Sequence, residues 1–213
     1  MPERRPSTKS PRPVRATLAA VERDAAVCRR CDLWKRGTQT VFGAGPRDAT
    51  IMFVGEQPGD VEDRAGEPFV GPAGRLLRES LAEAGIDAET VYLTNVVKHF
   101  KWRERGKRRI HERPNREEVL ACRLWLDSEI AIVKPRVLVA LGATAASLIL
   151  PKARVMRDRA KPLPSPLAEI VTVTVHPSSI LRAPDSESRA EARRQFIKDL
   201  RTIARMAHQP RGS

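Results

Sequence analysis

The chain has 213 residues, of which 41% are apolar, and it carries a formal net charge of +13 at pH 7. This length suits one α/β domain with a tail at each end, and the apolar fraction excludes a disordered protein. No apolar run approaches the roughly 20 residues that a membrane-spanning helix needs, so no membrane contact is expected.

The positive charge predicts a polyanionic partner, and nucleic acid is the first candidate. An arginine-rich composition without such a partner is the alternative explanation. The basic N-terminus is not followed by an apolar run, so we expect no secretory signal and a cytoplasmic protein. The three cysteines then favour metal binding or burial over a disulfide framework.

The two ends of the chain differ from its middle. Residues 1–15 contain four prolines and almost no large apolar side chain, which predicts a flexible cationic tail. Residues 208–213 are predicted to form a short C-terminal tail. A single folded domain is therefore expected over residues 16–207.

Apolar patterns inside the domain predict alternating helices and strands. Helices are predicted at 17–27, 73–85, 115–133, 143–150 and 186–207, and strands at 50–56, 91–97, 136–142 and 169–177. The segments after the first and second strands are predicted to be loops. The alternation indicates a three-layer α/β/α sandwich with a central, mainly parallel four-stranded sheet, in which ligands bind at the carboxyl ends of the strands.

The segment GEQPGDVEDRAGEPFVGPAG follows the first predicted strand. Its glycines and prolines impose a tight turn that fixes Glu56 and Gln57 at the strand end. Asp60 and the carboxylates after it are unusual in a cationic protein, and they suit stabilising positive charge in a reaction or orienting a water. Phe69 is presented to stack on a planar ring. A surface loop with Phe69 in the core is the competing interpretation.

The cysteines are Cys28 and Cys31, spaced as C-x2-C, and Cys122 on a predicted helix. The pair alone fits a redox pair, half a metal site or chance, and Cys122 alone fits a buried small side chain. Three thiolates with one imidazole suit zinc or an iron–sulphur cluster.

The second strand leads into a basic segment. Asn95 near the strand end carries an amide that can read the polar edge of a base, although a buried structural asparagine is equally consistent. Residues 98–113 contain eight lysines or arginines against two glutamates, and Trp102 adds a stacking face. This composition favours contact with phosphates, with a solvated charge run as the alternative. Solvated charge does not explain His111.

The fourth strand ends at His176, and Pro177 fixes the chain directly after it. Ser178, Ser179 and Arg182 follow at a predicted helix start, where backbone N–H groups can hold a phosphate. A structural histidine is the alternative interpretation of His176.

Together these motifs resemble the iron–sulphur branch of the uracil-DNA glycosylase superfamily, from about residue 17 to 205. The resemblance rests on the motifs GEQPGD, EPFVGPAG, YLTNVVKH, the C-x2-C with Cys122, and HPSSILR. Within that branch, Gln57 and the insert GKRRIH resemble the X-type enzymes, which trap uracil-containing DNA covalently. The resemblance implies a monomeric enzyme acting on single- or double-stranded DNA that contains uracil.

The resemblance also implies residue roles. Phe69 stacks on uracil, Asn95 reads its polar edge and His176 donates a hydrogen bond to uracil O2 as the base leaves. The other implied substrate-binding residues are Gln57, Asp60, Arg109 and Ser178. Cys28, Cys31 and Cys122 are implied to hold a 4Fe-4S cluster, with His99 where ordinary members have a fourth cysteine.

His111 is implied to be the trapping nucleophile. Loss of the base leaves an electrophilic sugar carbon, which a preorganised imidazole captures before water does. Glu56 either orients this histidine or stabilises the cation. The expected enzyme acts once and stays bound to its product. Two alternatives remain open: a conventional glycosylase that releases uracil and an abasic site, and a non-catalytic nucleic-acid-binding module with a structural metal.

Overall fold

The computed structural model of the chain describes residues 17–210. The predicted N-terminal tail and the last three residues lie outside the described part. Within residues 17–210, no helix is both long enough and apolar enough to cross a membrane.

The core of the fold is a sheet of four parallel strands in the order β2-β1-β5-β6. Nearly every residue of these strands is buried, as expected for strands covered on both faces. The four strands are β1 Ile51–Gly55, β2 Tyr92–Asn95, β5 Val137–Leu141 and β6 Ile170–Thr174. Their positions confirm the four predicted strands.

Helices cover both faces of the sheet. The α-helices of the described residues are α1 Leu18–Ala26, α2 Asp60–Ala65, α3 Pro72–Glu83, α4 Arg116–Val133, α5 Gly142–Ile149, α6 Val155–Asp158, α7 Pro177–Leu181 and α8 Ser186–His208. Met52 of β1 packs in one buried cluster with side chains of α4 and α5, whereas Phe53 packs in another with side chains of α3 and α8. The predicted three-layer α/β/α sandwich is confirmed.

Two segments predicted as loops contain regular structure. The first holds the short helix α2, directly after the turn that follows β1. The second is an antiparallel hairpin of β3 Trp102–Arg105 and β4 Arg108–His111, with Gly106 at φ +60° in its turn. Its mostly charged strands lack the apolar alternation that predicts a strand, and the prediction of a loop was therefore wrong.

Candidate active site

A cleft of about 850 Å³ opens at the carboxyl ends of the parallel strands. This is where ligands bind in open α/β sheets. The cleft gathers eight of the residues predicted for catalysis or substrate binding: Glu56, Gln57, Asp60, Phe69, Asn95, His111, His176 and Ser178.

Three of the predicted site residues direct their side chains to Gly55 at the floor of the cleft. A Cβ atom at this position would lie 2.3 Å from Asn95 Oδ1, 2.8 Å from Phe69 Cζ and 3.4 Å from His176 Nε2. The register of the sheet produces part of this arrangement, because Gly55 of β1 pairs with Asn95 of β2. Only glycine leaves the space between the three side chains open.

Phe69 is held in an unusual conformation. Its φ of +58° lies in the left-handed region, which non-glycine residues rarely adopt, and its side chain is buried. The first turn of α3 passes so close to Phe69 that a Cβ atom on Gly74 would lie 1.8 Å from the carbonyl oxygen of Phe69. The ring centroid stands 6.2 Å from that of His176. The backbone thus presents the aromatic ring to the cleft floor.

Asn95 is buried, and its backbone carbonyl accepts a hydrogen bond of 2.9 Å from Lys98 Nζ. The same ammonium lies 2.5 Å from Glu129 Oε2, so a buried ion pair supports this end of β2. Within the described part of the chain, no protein group hydrogen-bonds the side-chain amide of Asn95. That amide is available to a ligand in the cleft.

His176 is fixed in one tautomer by the start of α7. The backbone N–H of Ser178 donates to His176 Nδ1 over 3.2 Å, so Nδ1 carries the lone pair and Nε2 carries the proton. Nε2 is the atom that faces Gly55. Burial, with Arg182 and His111 nearby, lowers the pKa of His176 to about 4. The cleft floor therefore presents a neutral imidazole with an N–H donor.

His111 ends β4 at the mouth of the cleft, with half of its side chain exposed. Its Nε2 lies 3.3 Å from Glu56 Oε1, and Thr144 Oγ1 donates to the other carboxylate oxygen. Burial lowers the pKa of His111, and the charge of Glu56 only partly opposes this shift. At neutral pH the imidazole is therefore uncharged and keeps a lone pair.

Gln57 holds the hairpin that carries His111 through the residues directly before β3 and directly after β4. Gln57 Nε2 donates to the carbonyl oxygens of Lys101 at 3.1 Å and Glu112 at 2.9 Å, and Gln57 Oε1 accepts from Lys101 N at 3.2 Å. These bonds occupy the amide of a residue predicted to bind substrate. The substrate contact predicted for Gln57 stays a prediction.

The middle of the hairpin is held by Arg109. Its guanidinium pairs with Asp60 and, at 2.6 Å, with the fully buried carboxylate of Asp63 on α2. Glu62 accepts hydrogen bonds from two loop N–H groups. These contacts give the carboxylates of the acidic segment structural partners, whereas the sequence predicts a role in stabilising positive charge or orienting a water. Arg109 does not line the cleft, and the substrate contacts predicted for Asp60 and Arg109 stay predictions.

The three cysteines form a separate group. Cys31 and Cys28 both raise the pKa of Cys122, so the three thiols are close enough to interact, although burial is the main reason that this pKa reaches about 12. Backbone and indole N–H groups point at two sulphurs, with Lys98 N 3.3 Å from Cys122 Sγ and Trp125 Nε1 3.3 Å from Cys28 Sγ. Such N–H contacts surround iron–sulphur clusters.

The described residues contain no group of three or more cysteine, histidine or acidic side chains arranged to hold a single metal ion. The ligands of a 4Fe-4S cluster bind different iron atoms, so this finding about a single ion does not test a cluster. His99 is buried, and its Nε2 lies 3.0 Å from Thr40 Oγ1. Its predicted place as the fourth ligand stays a prediction.

Four polar residues of the cleft lie outside the predicted site residues: Glu62, Arg113, Thr144 and Arg182. Thr144 follows the third parallel strand, so the strand-end rule that found the other residues also applied here. Arg113 Nε donates to Thr144 Oγ1 over 3.0 Å. Arg182 lowers the pKa of both cleft histidines, which places its charge near each of them.

Comparison with known proteins shows which family the chain resembles. A family model described as the uracil DNA glycosylase superfamily matches residues 42–201. The type-4 uracil-DNA glycosylase of Thermotoga maritima is 41% identical over 80% of this chain and 90% of its own length. The type-4 uracil-DNA glycosylase of Sulfurisphaera tokodaii is 34% identical over 86% of this chain and 84% of its own length. That of Pyrobaculum aerophilum is 38% identical over 81% of this chain and 86% of its own length.

Proposed function

The chain belongs to the uracil-DNA glycosylase superfamily, and we propose that it excises uracil from DNA and then retains the sugar through a covalent bond to His111. The observation that carries the second half is the 3.3 Å contact between His111 Nε2 and Glu56 Oε1 at the mouth of a cleft that otherwise suits base binding.

Recognition of the base uses the cleft floor. A flipped uracil stacks on Phe69, and the side-chain amide of Asn95 hydrogen-bonds the polar edge of the base. The convergence of both side chains on the open space before Gly55 supports these roles. Ser178 acts through His176, whose tautomer it sets.

Release of the base uses His176. When the N-glycosidic bond breaks, its electron pair leaves with uracil and negative charge develops on the base oxygen. The N–H at Nε2 of His176 donates to that oxygen, and a preorganised donor of this kind contributes about 10²- to 10³-fold in rate. A lowered pKa suits this role, because the neutral ring donates at Nε2 while Nδ1 stays bonded to Ser178.

Capture of the sugar uses His111. The lone pair of its neutral imidazole forms a bond with the electron-deficient anomeric carbon, and the proton on the other ring nitrogen passes to a base. Glu56 is placed to orient the ring and to take that proton. A nucleophile held in place competes with water through its high effective concentration. Glu56 is protonated once it has taken this proton and no longer acts as the base that hydrolysis of the new C–N bond needs, so the enzyme acts once.

A conventional glycosylase is the second candidate function. The similarity to proteins named type-4 uracil-DNA glycosylases favours it. In that case Glu56 orients a water instead of His111, and the products are uracil and an abasic site. The non-catalytic alternative predicts neither product.

A 4Fe-4S cluster would be held by Cys28, Cys31 and Cys122, with His99 proposed as the fourth ligand. When bound, it supplies a covalent cross-link between the segment after α1, the end of β2 and α4. The mutual interaction of the three thiols supports this assignment.

Denaturing gel electrophoresis separates these functions. The purified protein is incubated with a uracil-containing oligonucleotide, single- or double-stranded, and with the same oligonucleotide carrying thymine. We expect a shifted band that survives denaturation with uracil only. His111→Ala is expected to lose this band while still releasing uracil, whereas the matched change His208→Ala, at the exposed end of α8, keeps it. Uracil release without a band in the unmodified protein favours the conventional enzyme.

A further inference from the structure

The residue directly across the hairpin from His111 is Trp102. Opposed residues of an antiparallel pair project from the same face, so both side chains point towards the body of the domain. Arg109 lies two positions before His111 and shares that face. Arg103, Arg105 and Arg108 belong to the opposite face and are exposed, whereas Ile110 on that face is half-buried.

Trp102 is hydrogen-bonded to Arg36, in the segment that follows the cysteine pair. Its indole Nε1 donates to the carbonyl oxygen of Arg36 over 2.9 Å, and Arg36 Nη1 donates back to the carbonyl oxygen of Trp102 over 3.3 Å. The guanidiniums of Arg36 and Arg109 lie 5.8 Å and 5.4 Å from the indole ring, within cation–π range. β3, the strand that pairs with His111, is thus held by contacts with Arg36 in addition to those that Gln57 and α2 make with the hairpin.

We propose that Trp102 and Arg36 are positioning residues that set the fraction of sugar captured by His111 rather than by water. This inference rests on the proposed covalent capture. Trp102 fixes β3, and the ladder between β3 and β4 carries that position to His111. A displacement of about 1 Å in a reacting group costs up to about 100-fold in rate. Neither residue lines the cleft, so release of the base does not depend on them directly.

The test measures the ratio of covalent adduct to free abasic site in a single turnover on a uracil-containing oligonucleotide, with uracil release timed in the same samples. Trp102→Phe keeps an aromatic ring but loses the bond to Arg36, and Arg36→Ala removes the guanidinium. We expect both variants to lower the ratio about tenfold while uracil release stays within about twofold of the unmodified rate. Lys35→Ala is the matched control, because Lys35 is an exposed cation beside Arg36 that pairs with Asp32.

The outcomes separate this inference from the function beneath it. If both variants give the same ratio of adduct to abasic site as Lys35→Ala, the positioning role of Trp102 and Arg36 is contradicted, whereas covalent capture is not. An unmodified protein that releases uracil without any adduct would overturn capture, and the positioning role with it. Equal losses of uracil release and adduct in both variants would show a general structural role and also overturn the positioning role.

Discussion

The cleft floor and the hairpin are built in different ways. Phe69 and Asn95, which face the floor, are 4% and 3% exposed and are held by strand ends and a strained turn. The side chain of His111 is 50% exposed and sits on a charged hairpin outside the central sheet, held by side-chain hydrogen bonds and ion pairs. The half of the site that we propose to bind the base is therefore part of the core, whereas the half that we propose to capture the sugar is attached to it.

This difference predicts that the two chemical steps can be separated by substitution. Changes at the floor should slow the release of uracil and leave unaltered the partition of the sugar between adduct and abasic site. Changes at the hairpin should alter the partition first.

His176→Ala is expected to lower the single-turnover rate of uracil release about 10²- to 10³-fold, because the N–H donor at Nε2 is lost. The measurement is rapid-quench detection of free uracil at saturating enzyme. The small amount of product should contain adduct and abasic site in the unmodified ratio. A loss below about fivefold would show that the floor does not stabilise the leaving base.

Arg109→Met is expected to destabilise the domain, because it leaves the fully buried carboxylate of Asp63 without its ion-pair partner. Breaking such a pair costs about 3 kcal/mol, which lowers the Tm of a domain of this size by about 10 °C. Arg105→Met, on the exposed face of the same hairpin, is the matched control and should change the Tm little. Equal melting temperatures of the two variants in thermal unfolding would show that the ion pair between Arg109 and Asp63 does not stabilise the domain.

The pH dependence of adduct formation should follow His111. The nucleophile must be neutral, so the rate is expected to be constant near neutral pH and to fall as pH drops through the lowered pKa of His111. Glu56 stabilises the imidazolium and so raises this pKa; Glu56→Gln should therefore move the acid limb to lower pH. An acid limb that stays in place or moves to higher pH would show that Glu56 does not act on His111.

Arg108→Ala is expected to have the smallest effect. Arg108 is exposed on the outer face of the hairpin, where phosphates can reach it. If it contacts one phosphate, the slope of log affinity against log salt should become shallower by about one. Fluorescence anisotropy with a thymine-containing oligonucleotide measures binding without chemistry. An unchanged slope would exclude Arg108 from the DNA contact.

The sheet and the cleft floor could be predicted from the sequence. The four buried strands are short apolar runs, and Glu56, Asn95 and His176 stand at or near the ends of three of them. Parallel strands bring such ends together, so the local pattern was sufficient. Thr144 obeys the same rule but lies in a mostly apolar helical segment, whose pattern does not indicate a site.

The hairpin and its clamps could not be predicted in the same way. Its strands carry charges in place of alternating apolar residues, so the pattern indicates a loop. Arg109 meets Asp63 across 46 positions of sequence, and Gln57 meets Glu112 across 55. Pairs at such separations are set by how the turn after β1 and helix α2 meet the hairpin, which no local pattern contains.

Intact mass spectrometry distinguishes a covalent protein–DNA adduct from free protein by mass. The protein is mixed with a short uracil-containing oligonucleotide, and the denatured products are weighed and then fragmented. Capture predicts a species with the mass of the protein plus the oligonucleotide without its uracil, with the bond located on His111. Free uracil beside protein of unchanged mass would contradict capture, and no free uracil at all would contradict the glycosylase activity itself.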